Sequence, residues 1–141
     1  MKPVILCVDD EKMILDSLRA QMKKRYGGRF HYEFAEGAEE AFELIDELVE
    51  DGLEILLIVS DWLMPQMKGD VFLEKVHGRH PGIVKIMLSG QIDAEVLRQL
   101  SLNGMLHRLI HKPWTEGELF EAIESGLRDM HLLVEVEEHH G

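Results

Sequence analysis

Five short apolar runs punctuate this chain, and a segment with helical periodicity follows each one. The runs are Pro3–Val8, Phe30–Ala35, Leu53–Ser60, Ile83–Ser89 and Met105–Ile110. The first, third and fourth are apolar almost throughout, as strands buried on both faces must be. Phe30–Ala35 alternates apolar and polar residues, the pattern of a half-covered strand. The intervening segments are Glu11–Tyr26, Ala38–Asp51, Gly69–Arg79, Asp93–Leu102 and Thr115–Glu138. Ile14, Leu15, Leu18 and Met22 share one helical face in the first. Ala41, Phe42, Ile45, Leu48 and Val49 do so in the second. Gly27-Gly28 and Gly52 stop these two helices. Asp93 is placed to cap the fourth helix, and Thr115 with Glu118 forms a capping box on the fifth. Strict alternation of strand and helix with short connections predicts an α/β fold, a parallel sheet with helices on both faces.

A length of 141 residues suits one domain with a single core of fair size. Acids outnumber bases 27 to 15, for a formal charge of −12. Proteins that bind nucleic acid directly carry a basic stripe, and none is present, so no nucleic-acid partner is expected. The single cysteine, Cys7, excludes an intrachain disulfide and a Cys-based zinc site, and it fits a reducing, cytoplasmic setting. No apolar run approaches the roughly 18 residues of a membrane span. In the last helix, Leu119, Ile123, Leu127, Met130 and Val134 form a stripe that runs about three turns past what this plan needs. Residues 129–141 are therefore expected to be a helical extension or linker, leading towards an output domain.

In open parallel sheets, ligands bind beyond the carboxyl ends of the strands. Asp9-Asp10 follows the first run, Asp61 the third, Ser89-Gly90 the fourth, and Lys112-Pro113 the fifth. Each alone has a plainer explanation. Asp9 or Asp10 can cap a helix, Asp61 a turn, Ser89 can be loop, and Lys112 a solvated charge. Together they would require four unrelated explanations at one edge. Three crowded carboxylates repel one another, and a hard divalent cation relieves that repulsion. Mg2+ suits such a set, because it takes few protein oxygens and keeps several waters. An amine and a hydroxyl beside one carboxylate then suit a phosphoryl group, and a carboxylate can itself be the nucleophile.

"VDD" at Val8–Asp10, "SDWLMPQMKGD" at Ser60–Asp70, "MLSG" at Met87–Gly90 and "HKPW" at His111–Trp114 resemble the receiver domain of bacterial two-component response regulators. The match spans about residues 2–128, and it divides the chain into a receiver over 1–128 and the extension after it. The resemblance implies a flavodoxin-like, five-stranded parallel sheet in the order 2-1-3-4-5. It implies that Asp61 is the phosphoacceptor. Asp10 would bind Mg2+ directly, Asp9 largely through water, and the backbone carbonyl of Leu63 would be a further ligand. Ser89 would be the switch hydroxyl and Lys112 the partner of a phosphoryl oxygen, with Lys112-Pro113 a cis peptide. The donor would be a sensor histidine kinase, a phosphotransfer protein or a small phosphodonor. Homodimers would form through the face of the fourth helix, fifth strand and fifth helix, or through the C-terminal helix.

One position departs from the family. Receivers commonly carry an aromatic three residues before the lysine, where this chain has Leu109. Leu63 and Gln91 stand where the family tunes phosphoryl lifetime. "HKPW" before a Leu-rich helix is similar to receivers joined to enzymatic output domains such as cyclic-di-GMP phosphodiesterases. Two other functions are weighed against the switch. A haloacid-dehalogenase-like phosphatase needs an acid two residues after its nucleophile, where Leu63 stands. A degenerate receiver acting only as an interaction module would lack part of the site, which is complete here. The chain is thus expected to be no enzyme beyond catalysing its own phosphorylation and dephosphorylation.

Overall fold

The computed structural model describes residues 2–129. Five strands, β1 (Val4–Val8), β2 (His31–Ala35), β3 (Ile55–Asp61), β4 (Val84–Ser89) and β5 (Arg108–His111), form one sheet. Five helices alternate with them: α1 (Lys12–Tyr26), α2 (Ala38–Glu50), α3 (Gly69–Arg79), α4 (Ala94–Leu102) and α5 (Glu116–Asp129). All strand pairs are parallel, in the order β2-β1-β3-β4-β5. This is the expected flavodoxin-like plan.

The pleat sends alternate residues to opposite faces, and β1 shows it directly. Val4, Leu6 and Val8 join a core with Ile45 of α2, Phe72 of α3 and Leu100 of α4. Ile5 and Cys7 join a second core with Leu18 of α1 and Ile123 of α5. The central strands β1 and β3 are buried along their whole length, which accounts for their unbroken apolar runs. Cys7 is a buried core residue, and burial pushes its thiol up, far from reactivity.

The structure adjusts several expectations. The fifth strand begins at Arg108 rather than Met105, and Met105 packs into the core before the ladder starts. A 3-10 turn at Gly27–Arg29 follows α1, and Gly27 takes a positive φ of 57° there. Val49 is 47% exposed, because α2 presents Ala38, Ala41, Ile45 and Leu48 to the core and Val49 falls beyond that stripe. Asp93 caps α4 by accepting the Glu95 N–H at 2.8 Å. Thr115 Oγ1 accepts the Glu118 N–H at 3.1 Å. The Glu118 carboxylate meets the Thr115 hydroxyl at 3.1 Å rather than the backbone N–H of a full capping box. Leu119, Ile123 and Leu127 are buried as the stripe requires. Met130, Val134 and the expected extension past Asp129 lie outside the described residues. No helix among the described residues is long and apolar enough to cross a membrane.

Lys85 is the one lysine in the core of the described residues, 1% exposed on β4. Its ammonium donates to the Ile83 carbonyl, and burial pushes its pKa down to about 8 from 10.5. The unfolded chain therefore holds this proton more tightly than the folded one. Stability is reduced below about pH 8 and recovers as pH rises towards 10.5. Lys85→Met should stabilise the protein by about 1–3 kcal/mol at neutral pH, with the gain shrinking above pH 8. Denaturant melts at pH 7 and pH 10 check both statements.

Candidate functional site

Sheet register builds the site. Val8 pairs with Ser60, so Asp9 comes level with Asp61 one residue on. Asp61 pairs with Leu88, and Ser89 with His111. The residues that end or follow four strands therefore meet at one edge, and a cleft of about 420 Å3 opens there. It is lined by Asp10, Glu11, Asp61, Leu63, Ser89, Gly90, Gln91 and Lys112. Of the three acids, Asp61 is buried in the cleft lining, Asp9 is buried beside the cleft, and Asp10 is exposed. One oxygen from each of the three carboxylates lies within 4.8 Å of the others.

The Lys112 ammonium donates to Asp9 Oδ2 at 2.9 Å and to Asp61 Oδ1 at 3.0 Å. It thus bridges the two buried acids. Asp9 Oδ1 also accepts the Glu11 N–H at 2.8 Å. Glu11, not an aspartate, occupies the cap position of α1. Ser89 Oγ accepts the Gln91 N–H at 3.1 Å, which ties the hydroxyl to its own loop. Leu63 is 52% exposed at the mouth of the cleft.

Charge is poorly balanced here. Burial pushes the Asp61 carboxyl up to about 6, against the pull of the Lys112 hydrogen bond and with a further push from Asp9. Burial also raises Asp9, opposed by the Glu11 N–H and by Lys112. For Lys112, burial works against the charged form, yet its bonds to Asp9 and Asp61 outweigh that and raise its pKa. One ammonium thus faces three carboxylates. An all-oxygen donor set with unneutralised negative charge fits a hard divalent cation.

Every side chain singled out for the site reaches this edge. His107 does not, because it sits before β5 at the opposite end of the sheet, where Nε2 meets Ser125 Oγ at 2.8 Å. His111 is exposed and does not line the cleft. Two site features were not foreseen. Glu11 lines the cleft, and its place in the acidic run of residues 9–11 was the available signal. Asp70 accepts the indole N–H of Trp62 at 3.0 Å, and nothing in the sequence announces that contact.

The response regulator receiver domain family matches residues 5–124 of the chain. The chain belongs to this family. It is 30% identical over 135 residues to the hydrogenase transcriptional regulatory protein HoxA of Cupriavidus necator, covering 92% of this chain. The chain spans only 26% of that regulator's length. Among solved structures it is similar to the signal receiver domain of an HD domain-containing protein from Pseudomonas fluorescens Pf-5. The TM-score is 0.80 at 28% identity, over 93% of this chain and 98% of that one. It is equally similar to a CheY-like receiver domain protein from Methanospirillum hungatei JF-1, with a TM-score of 0.79 at 30% identity. That match covers 93% of this chain and 98% of the other.

Within this receiver, the Lys112-Pro113 peptide is cis. Leu109, where an aromatic is common, pairs with Met87 on β4 and packs, half-buried, against the α2–α4 core. An aliphatic side chain therefore fills the position beside the strand that carries Ser89.

Proposed function

We propose that this receiver accepts a phosphoryl group on Asp61 in a Mg2+-dependent reaction and thereby switches its contacts with a partner or an output domain. The observation that carries this reading is the Lys112 bridge between two buried carboxylates, with a third carboxylate beside them. Asp9, Asp10, Asp61 and the Leu63 carbonyl are the residues that would hold Mg2+. The cation would supply charge neutralisation for the phosphoryl oxygens.

The remaining chemistry belongs to the chain. An Asp61 oxygen attacks phosphorus in line, forming an O–P bond as the donor's bond to phosphorus breaks. Asp61 must be ionised to attack, and a cation held beside it would favour the ionised form against the burial that raises its pKa. The Lys112 ammonium, 3.0 Å from Asp61 Oδ1, is close enough to follow the charge onto a phosphoryl oxygen. Ser89 exchanges its Gln91 contact for the phosphoryl group, which alters the loop that leads into α4. The donor is a sensor histidine kinase or a phosphotransfer protein in the cytoplasm. The face of α4, β5 and α5, or the segment after Asp129, is the proposed dimer surface.

Trp62, next to Asp61, supplies a test. In a Trp114→Phe background it is the only tryptophan. Its fluorescence should change saturably with Mg2+, and again when beryllofluoride is added in the presence of Mg2+. A response that needs no Mg2+, or no response at all, contradicts the reading and favours a module that only binds partners.

Leu63 bears on phosphoryl lifetime. An apolar side chain at the mouth cannot orient a hydrolytic water. Self-dephosphorylation should therefore be slow to moderate, with an aspartyl-phosphate half-life of minutes or longer. Decay of the phosphorylated protein after donor removal measures this, and a half-life of seconds would contradict it.

A further inference from the structure

Trp62 is held at three points. Its backbone N–H donates to the Leu88 carbonyl at 3.0 Å, and its own carbonyl accepts the Gly69 N–H at 2.7 Å. Its indole Nε1–H donates to Asp70 Oδ1 at 3.0 Å. The ring is buried with Met64 and Phe72, and the Lys68 ammonium lies 5.2 Å from its centroid. The bond from Gly69 to Trp62 closes the connection between β3 and α3 into a loop, and Leu63 is the first residue inside it.

Asp70 stands in the first turn of α3, where any acid is favoured by the helix dipole. That preference explains an acid at this position but not its direction. This carboxylate reaches back over the loop to the indole. A buried indole N–H needs an acceptor, and an unmet one costs free energy. The contact therefore braces the loop at the point where the backbone closure is made.

We propose that Asp70 is a positioning residue. By holding the Trp62 indole it fixes the loop that offers the Leu63 carbonyl to a cation bound by Asp9, Asp10 and Asp61. The inference rests on the proposed Mg2+ site and adds a pair that touches neither phosphoryl group nor metal. Trp62→Phe removes the donor and keeps an aromatic ring, though a smaller one. Asp70→Ala removes the acceptor. Asp70→Asn keeps an acceptor oxygen and removes the charge.

The test is Mg2+ affinity by calorimetry on the full chain, with hydrogen exchange of the Trp62 indole N–H as a metal-free readout. Trp62→Phe and Asp70→Ala should each weaken Mg2+ binding about 5-fold, the size of one hydrogen bond. The double variant should be no weaker than either single one. Asp70→Asn should stay within about 2-fold of wild type on the same scale. Indole exchange should be slow in wild type and Asp70→Asn, and fast in Asp70→Ala. Unchanged affinity in Asp70→Ala, additive losses, or an Asp70→Asn as weak as Asp70→Ala would overturn the proposal. The last result would assign the effect to helix charge. A wild-type protein that binds no Mg2+ overturns the reading of the cleft itself, and the positioning role with it.

Discussion

Asp61→Asn should lower Mg2+-dependent phosphorylation by acetyl phosphate by roughly 10^3-fold or more, because an amide is no nucleophile at phosphorus. The variant should nevertheless fold. The amide oxygen can still accept from Lys112, and the buried charge is gone. The direction of the stability change follows from the raised pKa. Asp61 titrates near 6 in the folded protein against 3.8 in the reference state, so the folded state holds the proton more tightly. Stability is therefore lost as pH rises from 3.8 through about 6, and the loss persists above that. In metal-free buffer at pH 7, Asp61→Asn should gain about 1–2 kcal/mol over wild type. The gain should vanish below about pH 4. A variant that is more stable yet cannot be phosphorylated separates chemistry from folding. Denaturant melts at the two pH values, run beside the phosphorylation assay, read both effects.

Gly69→Ala should be the most damaging small substitution in the loop. A Cβ there would lie 2.1 Å from the Asp61 carbonyl oxygen and 2.9 Å from Trp62 Cα. Both are backbone atoms at the end of β3, so neither can swing aside as a flexible side chain could. Relief requires moving either the start of α3 or the strand end that carries Asp61. The expected loss is about 3 kcal/mol or more, which lowers the melting temperature by roughly 10 °C. Gly78, on the same helix, has nothing within 4 Å of an added Cβ. Gly78→Ala should therefore stabilise by about 0.5–1 kcal/mol. Paired thermal melts distinguish crowding at position 69 from a general intolerance of α3 to alanine.

The fold was legible where burial is extreme. β1, β3 and β4 are sealed between helices, and their unbroken apolar runs could hardly be anything else. β5 lies at an edge of the sheet, where a charged residue is tolerated. Arg108 is exposed yet paired with Ile86, while the apolar Met105 packs without joining the ladder. Composition therefore pointed three residues too early. The candidate site was legible because topology alone brings strand ends together, so Asp9, Asp10, Asp61, Ser89 and Lys112 needed only to end or follow strands. Side-chain direction was not legible. That Lys112 spans two acids, that Ser89 is tied to Gln91, and that Asp70 turns back to Trp62 all depend on loop paths. The need for glycine at position 69 likewise comes from a contact with the strand end eight residues earlier, not from a turn signal.

The central claim is that this chain carries one phosphoryl group, on Asp61, when Mg2+ is present. The direct measurement is intact-mass spectrometry after incubation with acetyl phosphate, followed by borohydride trapping of the acyl phosphate and peptide mapping. The account predicts a single added phosphoryl group at Asp61, abolished by chelation of Mg2+. An unmodified wild-type protein, or a phosphoryl group mapped to any other residue, would contradict it.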